Sequence, residues 1–263
     1  MKIATWNVNS LKVRLPHVLD WLDGAQPDVL AIQETKSTDD NFPAQALQEA
    51  GYHVTYMGEK TYNGVALISA EPARDVVLGI PELVPGGKRI LAATFGNVRL
   101  LNLYVVNGQA VGSEKYAYKL YWLQRVIEFV SEELPRYDYY AVVGDFNIAP
   151  TDDDVYHAQR WHESILCSSA ERERLQEFFG LGFVDTFRKF AQADRSFSWW
   201  DYRHRSFAQN HGMRLDLILA NKALAATCTA CTIDPKPRAL ERPSDHAPVI
   251  ANFDIANFSP MPT

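Results

Sequence analysis

The sequence predicts an α/β fold in which two mixed sheets pack face to face with helices outside. Three observations carry this. Short β-branched apolar runs recur along the 263 residues and end in polar or turn residues. Amphipathic stretches with helical spacing lie among them. Gly96-Asn97 sits between two of the apolar runs, the mark of a hairpin. Hairpins require antiparallel pairing, which disfavours a purely parallel doubly wound sheet.

Taken in order, Ile3–Val8 and Val29–Gln33 read as strands. A helix is expected between them over Pro16–Asp23, where Val18, Leu19 and Leu22 share one face. Phe42–Ala50 reads as a second helix. His53–Tyr56 and Val65–Ile68 follow as strands, with Asn63-Gly64 as a hairpin turn between the stretches "KTY" and "VALIS". Arg89–Phe95 and Val98–Val105 flank Gly96-Asn97. Lys115–Leu134 is a long amphipathic helix, and Tyr139–Val143 is a short buried strand. Ser168–Phe179 opens on serine with Glu171 three residues on, a capping-box pattern. Leu215–Leu219, Thr227–Ile233 and Val249–Phe253 complete the strands. No linker, low-complexity segment or fixed-period repeat interrupts the chain, so residues 1–263 read as a single domain.

Composition narrows the class. A hydrophobic content of 47% supports a substantial core, and no run approaches the ~20 apolar residues of a membrane helix. The opening "MKIATWNVNS" is a strand pattern rather than a targeting segment. The expectation is a cytoplasmic protein that does not meet a membrane and is monomeric. Three cysteines, an odd count, argue against a disulfide framework. Cys228 and Cys231 form a C-x-x-C, but three-apart positions in a strand face opposite sides, so they read as two separate thiols. A net charge of −6 argues against a positive coat for nonspecific nucleic-acid binding. It is compatible with carboxylates gathered around a metal beside a local basic rim. Asp152, Asp153 and Asp154 read as a solvated loop or a helix N-terminus.

The chemistry-bearing residues fall at strand ends. In "YYAVVGDFNIAP", Asp145 and Asn147 are two apart and share a face if the chain stays extended. Asn7 ends the first strand and Glu34 the second. "LLNLYVVNG" delivers Tyr104 and Asn107. Asp216 lies inside the apolar "RLDLIL", where an acid is expensive unless paired or hydrogen-bonded. Asp245 and His246 stand just before the last strand. Oxygen ligands without cysteine suit Mg²⁺ or Mn²⁺, and a carboxylate–histidine pair beside them is the inventory of metal-assisted phosphoester hydrolysis. There is no G-x-S-x-G elbow, Walker A loop or G-x-G-x-x-G.

Read in order, "WNVNSL", "AIQETK", "KTYNGVAL", "LNLYVVNG", "VVGDFNIAP", "SFSWWDYR", "MRLDLIL" and "RPSDHAPV" resemble the exonuclease III family of DNA-repair nucleases, within the endonuclease/exonuclease/phosphatase superfamily. The resemblance runs from Trp6 to Val249. It implies a four-layer α-β-β-α sandwich with two mixed sheets, and a metal-dependent phosphodiesterase acting at abasic sites, 3′ ends or both. An enzyme confined to 3′ ends is the alternative. A phosphatase of inositol phosphates or lipids and a non-catalytic DNA-end binder are more remote.

The resemblance also implies roles. Asn7 and Glu34 would be the main ligands of one or two Mg²⁺ or Mn²⁺ ions, with Asp245 nearby and Asp145 and Asn147 joining in a two-ion scheme. Asp145 would position or deprotonate the attacking water and Asn147 would orient it. His246 would donate to a nonbridging phosphate oxygen, with Asp216 orienting His246. Tyr104 and Asn107 would contact the phosphate. Trp199, Met213 and Leu215 match a small apolar pocket for a base-less sugar, whereas Trp200 reads as core. Lys36, Arg14 and the segment "YRHRSF" would form a DNA rim. The implied partner is double-stranded DNA with abasic sites, nicks or blocked 3′ ends. Val106 stands where the family often has proline. Residues 156–170 flank the site without an assignable motif and are expected to bear on which DNA ends enter.

Overall fold

The computed structural model describes residues 1–83 and 87–255. In chain order its main elements are β1 (Lys2–Asn7), α1 (Leu11–Ala25), β2 (Val29–Gln33), α2 (Ala44–Glu49), β3 (His53–Met57), β4 (Val65–Ser69), β5 (Arg74–Leu78), β6 (Ile90–Phe95) and β7 (Val98–Tyr104). Then come α3 (Glu114–Glu133), β8 (Tyr139–Asp145), α4 (Ala158–Trp161), α5 (Ser169–Gly180), β9 (Phe183–Asp185), β10 (Asp216–Asn221), α6 (Lys222–Ala226), β11 (Cys228–Ile233) and β12 (Val249–Phe253).

The strands form two six-stranded sheets, ordered β11-β12-β1-β2-β4-β3 and β5-β6-β7-β8-β10-β9. Each is mixed: β1–β2 and β7–β8 pair in parallel, and the other pairings are antiparallel. Period-2 alternation explains the layering. Ile3, Val29, Ala31 and Leu67 of the first sheet meet Ala93, Leu100, Ala141, Val143 and Ile218 of the second in one core between the sheets. The alternate residues Ala4, Trp6, Leu30 and Ile32 face out against Leu11, Val18 and Leu22 of α1. On the far side, Leu101, Leu103, Val142 and Leu217 meet Trp122, Leu123 and Val126 of α3 and Leu175 and Phe178 of α5. The order of layers is therefore α-β-β-α.

Several expectations need correction. α1 begins at Leu11, ahead of Pro16, because Leu11 is itself fully buried against the sheet. The stretch "KTY" is not a strand: β4 pairs with β3, so Asn63-Gly64 lies at the end of the longer connection 58–64. Cys228 and Cys231 are both buried, because a bulge between Cys228 and Ala230 shifts the alternation by one. Asp154 is not solvated. It is fully buried beneath Arg214, at 2.6 Å, and also pairs with Arg188. Gly96-Asn97 is the two-residue turn between β6 and β7, as expected.

Candidate active site at the strand ends

Register brings the polar residues together. On one sheet Asn7 of β1 lies beside Gln33 of β2, so Glu34 follows at the same edge. On the other, Asp145 at the end of β8 lies beside Tyr104 of β7 and Asp216 at the start of β10. Gly144 makes this close pairing feasible. Its φ is +139°, and a Cβ there would stand 1.9 Å from the Leu103 carbonyl oxygen. His246 arrives from the segment before β12, its carbonyl held by Trp6 Nε1 at 3.1 Å.

The two sheets are joined across the site by Asn7. Its Nδ2 donates to Glu34 Oε1 at 2.8 Å and to Asp145 Oδ2 at 2.9 Å. Asn7 is wholly buried, and Ser244 Oγ donates to its carbonyl at 2.6 Å. Glu34 has a left-handed backbone, φ +54°, which turns its carboxylate back over the edge. Lys36 Nζ bridges Glu34 Oε2 at 2.8 Å and Asn9 Oδ1 at 2.6 Å.

Asp145 and Asn147 do converge, but through a turn rather than an extended chain. Asn147 sits at φ +49°, its N–H donates to Asp145 Oδ1 at 2.9 Å, and its Nδ2 donates to the Val105 carbonyl at 2.9 Å. Asn107 Nδ2 donates to Asn147 Oδ1 at 3.3 Å. Burial pushes the Asp145 carboxyl up to about 7; His246 pulls it down and Asp216 pushes it up further.

His246 Nδ1 meets Asp216 Oδ2 at 2.8 Å, and Ser198 Oγ donates to the same oxygen at 2.7 Å. That fixes the ring and leaves Nε2 facing Asp145 Oδ2 across 3.7 Å. Burial opposes charge on this imidazole, but Asp216 and then Asp145 outweigh it and raise its pKa to about 10. Asp216 does not pair with Arg214, which is taken up by Asp154 and Asp185. Tyr104 lies under the Arg89 guanidinium, 4.5 Å from the ring centre. Burial, with the nearby Glu34 carboxylate, raises its phenol well above 10, so it stays a neutral hydroxyl.

Glu34, Asp145 and His246 each offer a ligand atom within 4.8 Å of the others. Glu34 and Asp145 supply hard anionic oxygens, which fit a divalent cation such as Mg²⁺. The Asn7 amide already bridges these two carboxylates with its donor end, and a half-turn would present Oδ1 in the same place. Asp245 stands apart from that trio: its oxygens accept from Asn9 Nδ2 at 2.8 Å and Trp199 Nε1 at 3.0 Å.

The remaining expected residues lie around this centre. Met213 and Leu215 are 0% and 1% exposed, packed in one cluster with Val155, Leu166 and Cys167, with Trp161, Ile165 and Trp199 against it. Only Trp199 of the three pocket residues keeps an open face. It borders a recess of about 370 Å³ lined also by Tyr156, Arg160, Trp161, Arg203 and His204. Trp200 is buried, as expected of core. Arg14 is spent on the carbonyls of Asn9, Arg242 and Pro243 rather than extended into solvent. Residues 202–205 are exposed. Sequence reading missed Asn9, Ser198 and Lys119. Asn9 and Ser198 lie inside the quoted motifs "WNVNSL" and "SFSWWDYR", which was their only signal.

The family model for the endonuclease/exonuclease/phosphatase family matches residues 4–246. Exodeoxyribonuclease III of Haemophilus influenzae is 34% identical, the match covering 96% of this chain and 100% of that protein. Among solved structures, the 3′ phosphatase NExo from Neisseria, bound to a product DNA hairpin, superposes with a TM-score of 0.95 at 46% identity over 97% of this chain and 100% of that one. An AP endonuclease from Archaeoglobus fulgidus gives 0.93 at 37% identity, with the same coverage of each. With motifs, fold and strand-end geometry in agreement, the chain belongs to the endonuclease/exonuclease/phosphatase family, in its exodeoxyribonuclease III branch.

Proposed function

We propose that this protein is a metal-dependent DNA phosphoesterase that removes blocking groups or nucleotides from 3′ ends. One observation carries the chemistry: a Ser198–Asp216–His246 chain ends 3.7 Å from a buried Asp145 that is tied through Asn7 to Glu34. A divalent ion, Mg²⁺ or Mn²⁺, held by Glu34 and Asn7, would polarise the phosphoryl group and steady the leaving oxygen.

The chain's own residues do the rest. Asp145 positions the attacking water and accepts its proton, its carboxylate aimed by the Asn147 N–H. His246 keeps Nδ1 on Asp216 and so directs an Nε2–H at a nonbridging phosphate oxygen, where negative charge grows. The neutral Tyr104 hydroxyl and the Asn107 amide supply further donors. Trp199, Lys36 and the exposed Arg203 and Arg205 contact the nucleic acid. The rim is local, which suits a chain of net charge −6.

Burial of Met213 and Leu215 favours 3′ ends over abasic sites, because two of three pocket residues are covered by the 155–167 segment. The relative that is a 3′ phosphatase, at 46% identity, supports the same preference. Incision at abasic sites is the second reading, favoured by the open face of Trp199 and by the AP endonuclease relative. The test uses a nicked duplex with a 3′-phosphate and a duplex with one abasic site, each with Mg²⁺, Mn²⁺ or chelator. Metal-dependent dephosphorylation that outruns abasic incision is expected. Incision as the faster reaction reverses the preference, and no turnover of either substrate removes the proposal.

A further inference from the structure

Lys119 and Glu171 are side chains of α3 and α5, and both are 0% exposed. An ammonium and a carboxylate taken out of water each carry a penalty of several kcal/mol, which only close pairing and full hydrogen bonding offset. Here the bonding is complete. Glu171 accepts from Lys119 Nζ, from the backbone N–H groups of Leu166 and Ser168 at 3.1 Å each, and from Ser168 Oγ at 2.6 Å. Lys119 has three N–H donors. One goes to Glu171, one to the Asn147 carbonyl at 2.7 Å and one to the Asn107 carbonyl at 3.2 Å.

Those two carbonyls belong to the asparagines whose side chains meet at 3.3 Å over the candidate site. Asn147 is in the left-handed region at φ +49°, a conformation that costs a non-glycine residue energy unless its surroundings hold it. The stem of Lys119 is equally confined: a Cβ on Gly108 would stand 3.1 Å from Lys119 Cδ and 3.0 Å from Ile165 Cδ1. The pair thus ties three things at one buried point: the Asn107 turn, the Asn147 turn and the end of the segment covering Met213.

We infer that Lys119, anchored by Glu171, is a positioning residue for phosphoester hydrolysis, acting through the backbone of Asn107 and Asn147. It rests on the hydrolase reading above. The rival account is a purely structural ion pair that fastens α3 to α5.

The test compares wild type, Lys119→Met/Glu171→Gln, Asn147→Ala and the combination of all three substitutions, with the nicked 3′-phosphate duplex and Mg²⁺. The double variant removes both buried charges together, so its fold should survive, as checked by melting. Displacement of a reacting group by about 1 Å costs up to roughly 10²-fold, so its kcat should fall about 10- to 100-fold. If Lys119 acts through Asn147, the same two changes should cost about threefold or less in the Asn147→Ala background, a non-additivity of residues working as a unit. Wild-type kcat in a folded double variant overturns the inference, as does an equal loss in the Asn147→Ala background. If the double variant does not fold, Glu171→Gln alone decides: removal of the anchor should lower kcat about threefold or more, and unchanged kcat overturns it. Wild type that turns over neither this duplex nor the one with an abasic site would instead sink the hydrolase reading itself.

Discussion

At the residue scale the site holds one group, Asp145, that the fold would be more stable without at neutral pH. Asp145 is 1% exposed, and its carboxyl is raised from 3.8 to about 7, chiefly by burial. A raised acid contributes stability that is fully present below 3.8 and lost as pH rises through about 7. Asn at the same place carries no such charge. In chelator, the melting temperature of wild type should therefore fall relative to Asp145→Asn as pH climbs through that window; a constant gap would refute the burial argument. On DNA the same variant should lose nearly all turnover. His246→Gln removes the donor that we propose faces the phosphate, and loss of one such donor typically costs about 10²- to 10³-fold in kcat. A kcat within a few-fold of wild type would remove His246 from the mechanism. The strand-end acids were legible in the sequence because a carboxylate inside an apolar run has few harmless explanations. Lys119 was not, because a lysine on an amphipathic helix ordinarily reads as solvated. Only the apposition of α3 and α5 over Asn147 gives it a meaning. Asp154 was hidden likewise, since its partner Arg214 lies 60 residues away.

At the element scale, the long alternating strands were readable and the marginal ones were not. β5 is an exposed edge beginning Arg74-Asp75, and β9 has only three residues, so neither shows enough alternation to stand out. The Ser168/Glu171 capping box was readable, and both of its reciprocal bonds form. Its extra duty, as the anchor of Lys119, was invisible. The segment before it packs over Met213 and Leu215. Leu166 covers the pocket residues from a left-handed backbone, φ +73°, which suits glycine better than leucine. Leu166→Gly should therefore cost less than the roughly 2–5 kcal/mol usual for truncating a buried leucine to alanine. It should also raise the ratio of abasic incision to 3′-dephosphorylation. An unchanged ratio, measured on the two duplexes in parallel, would show that this segment does not set substrate choice.

At the scale of the whole molecule, two sheets must stay aligned for one site to exist. A buried amide pair pins them: Gln33 Nε2 donates to Asn102 Oδ1 at 2.7 Å, and Asn102 Nδ2 donates to the carbonyls of Ile32 and Ala66 at 3.0 Å each. Glu34 follows Gln33 directly, and Tyr104 comes two residues after Asn102. Asn102→Leu strands several buried polar groups, at about 1–3 kcal/mol each, and should lower both melting temperature and turnover. Loss of stability with fully retained turnover would show that the pin does not align the site. We also propose that the chain unfolds as one domain, so calorimetry should give a single transition, and two separated transitions would argue otherwise. The Asn7 bridge between Glu34 and Asp145 then has a practical consequence. It spans the seam between the sheets, so turnover works as a vernier on their alignment. Gentle warming that lets one sheet creep against the other by a fraction of an ångström should dim the reaction while the circular dichroism spectrum, which registers intact helices and strands, stays still. Heat inactivation should therefore run ahead of melting when activity and ellipticity are followed on the same warmed sample, and coincident curves would refute it.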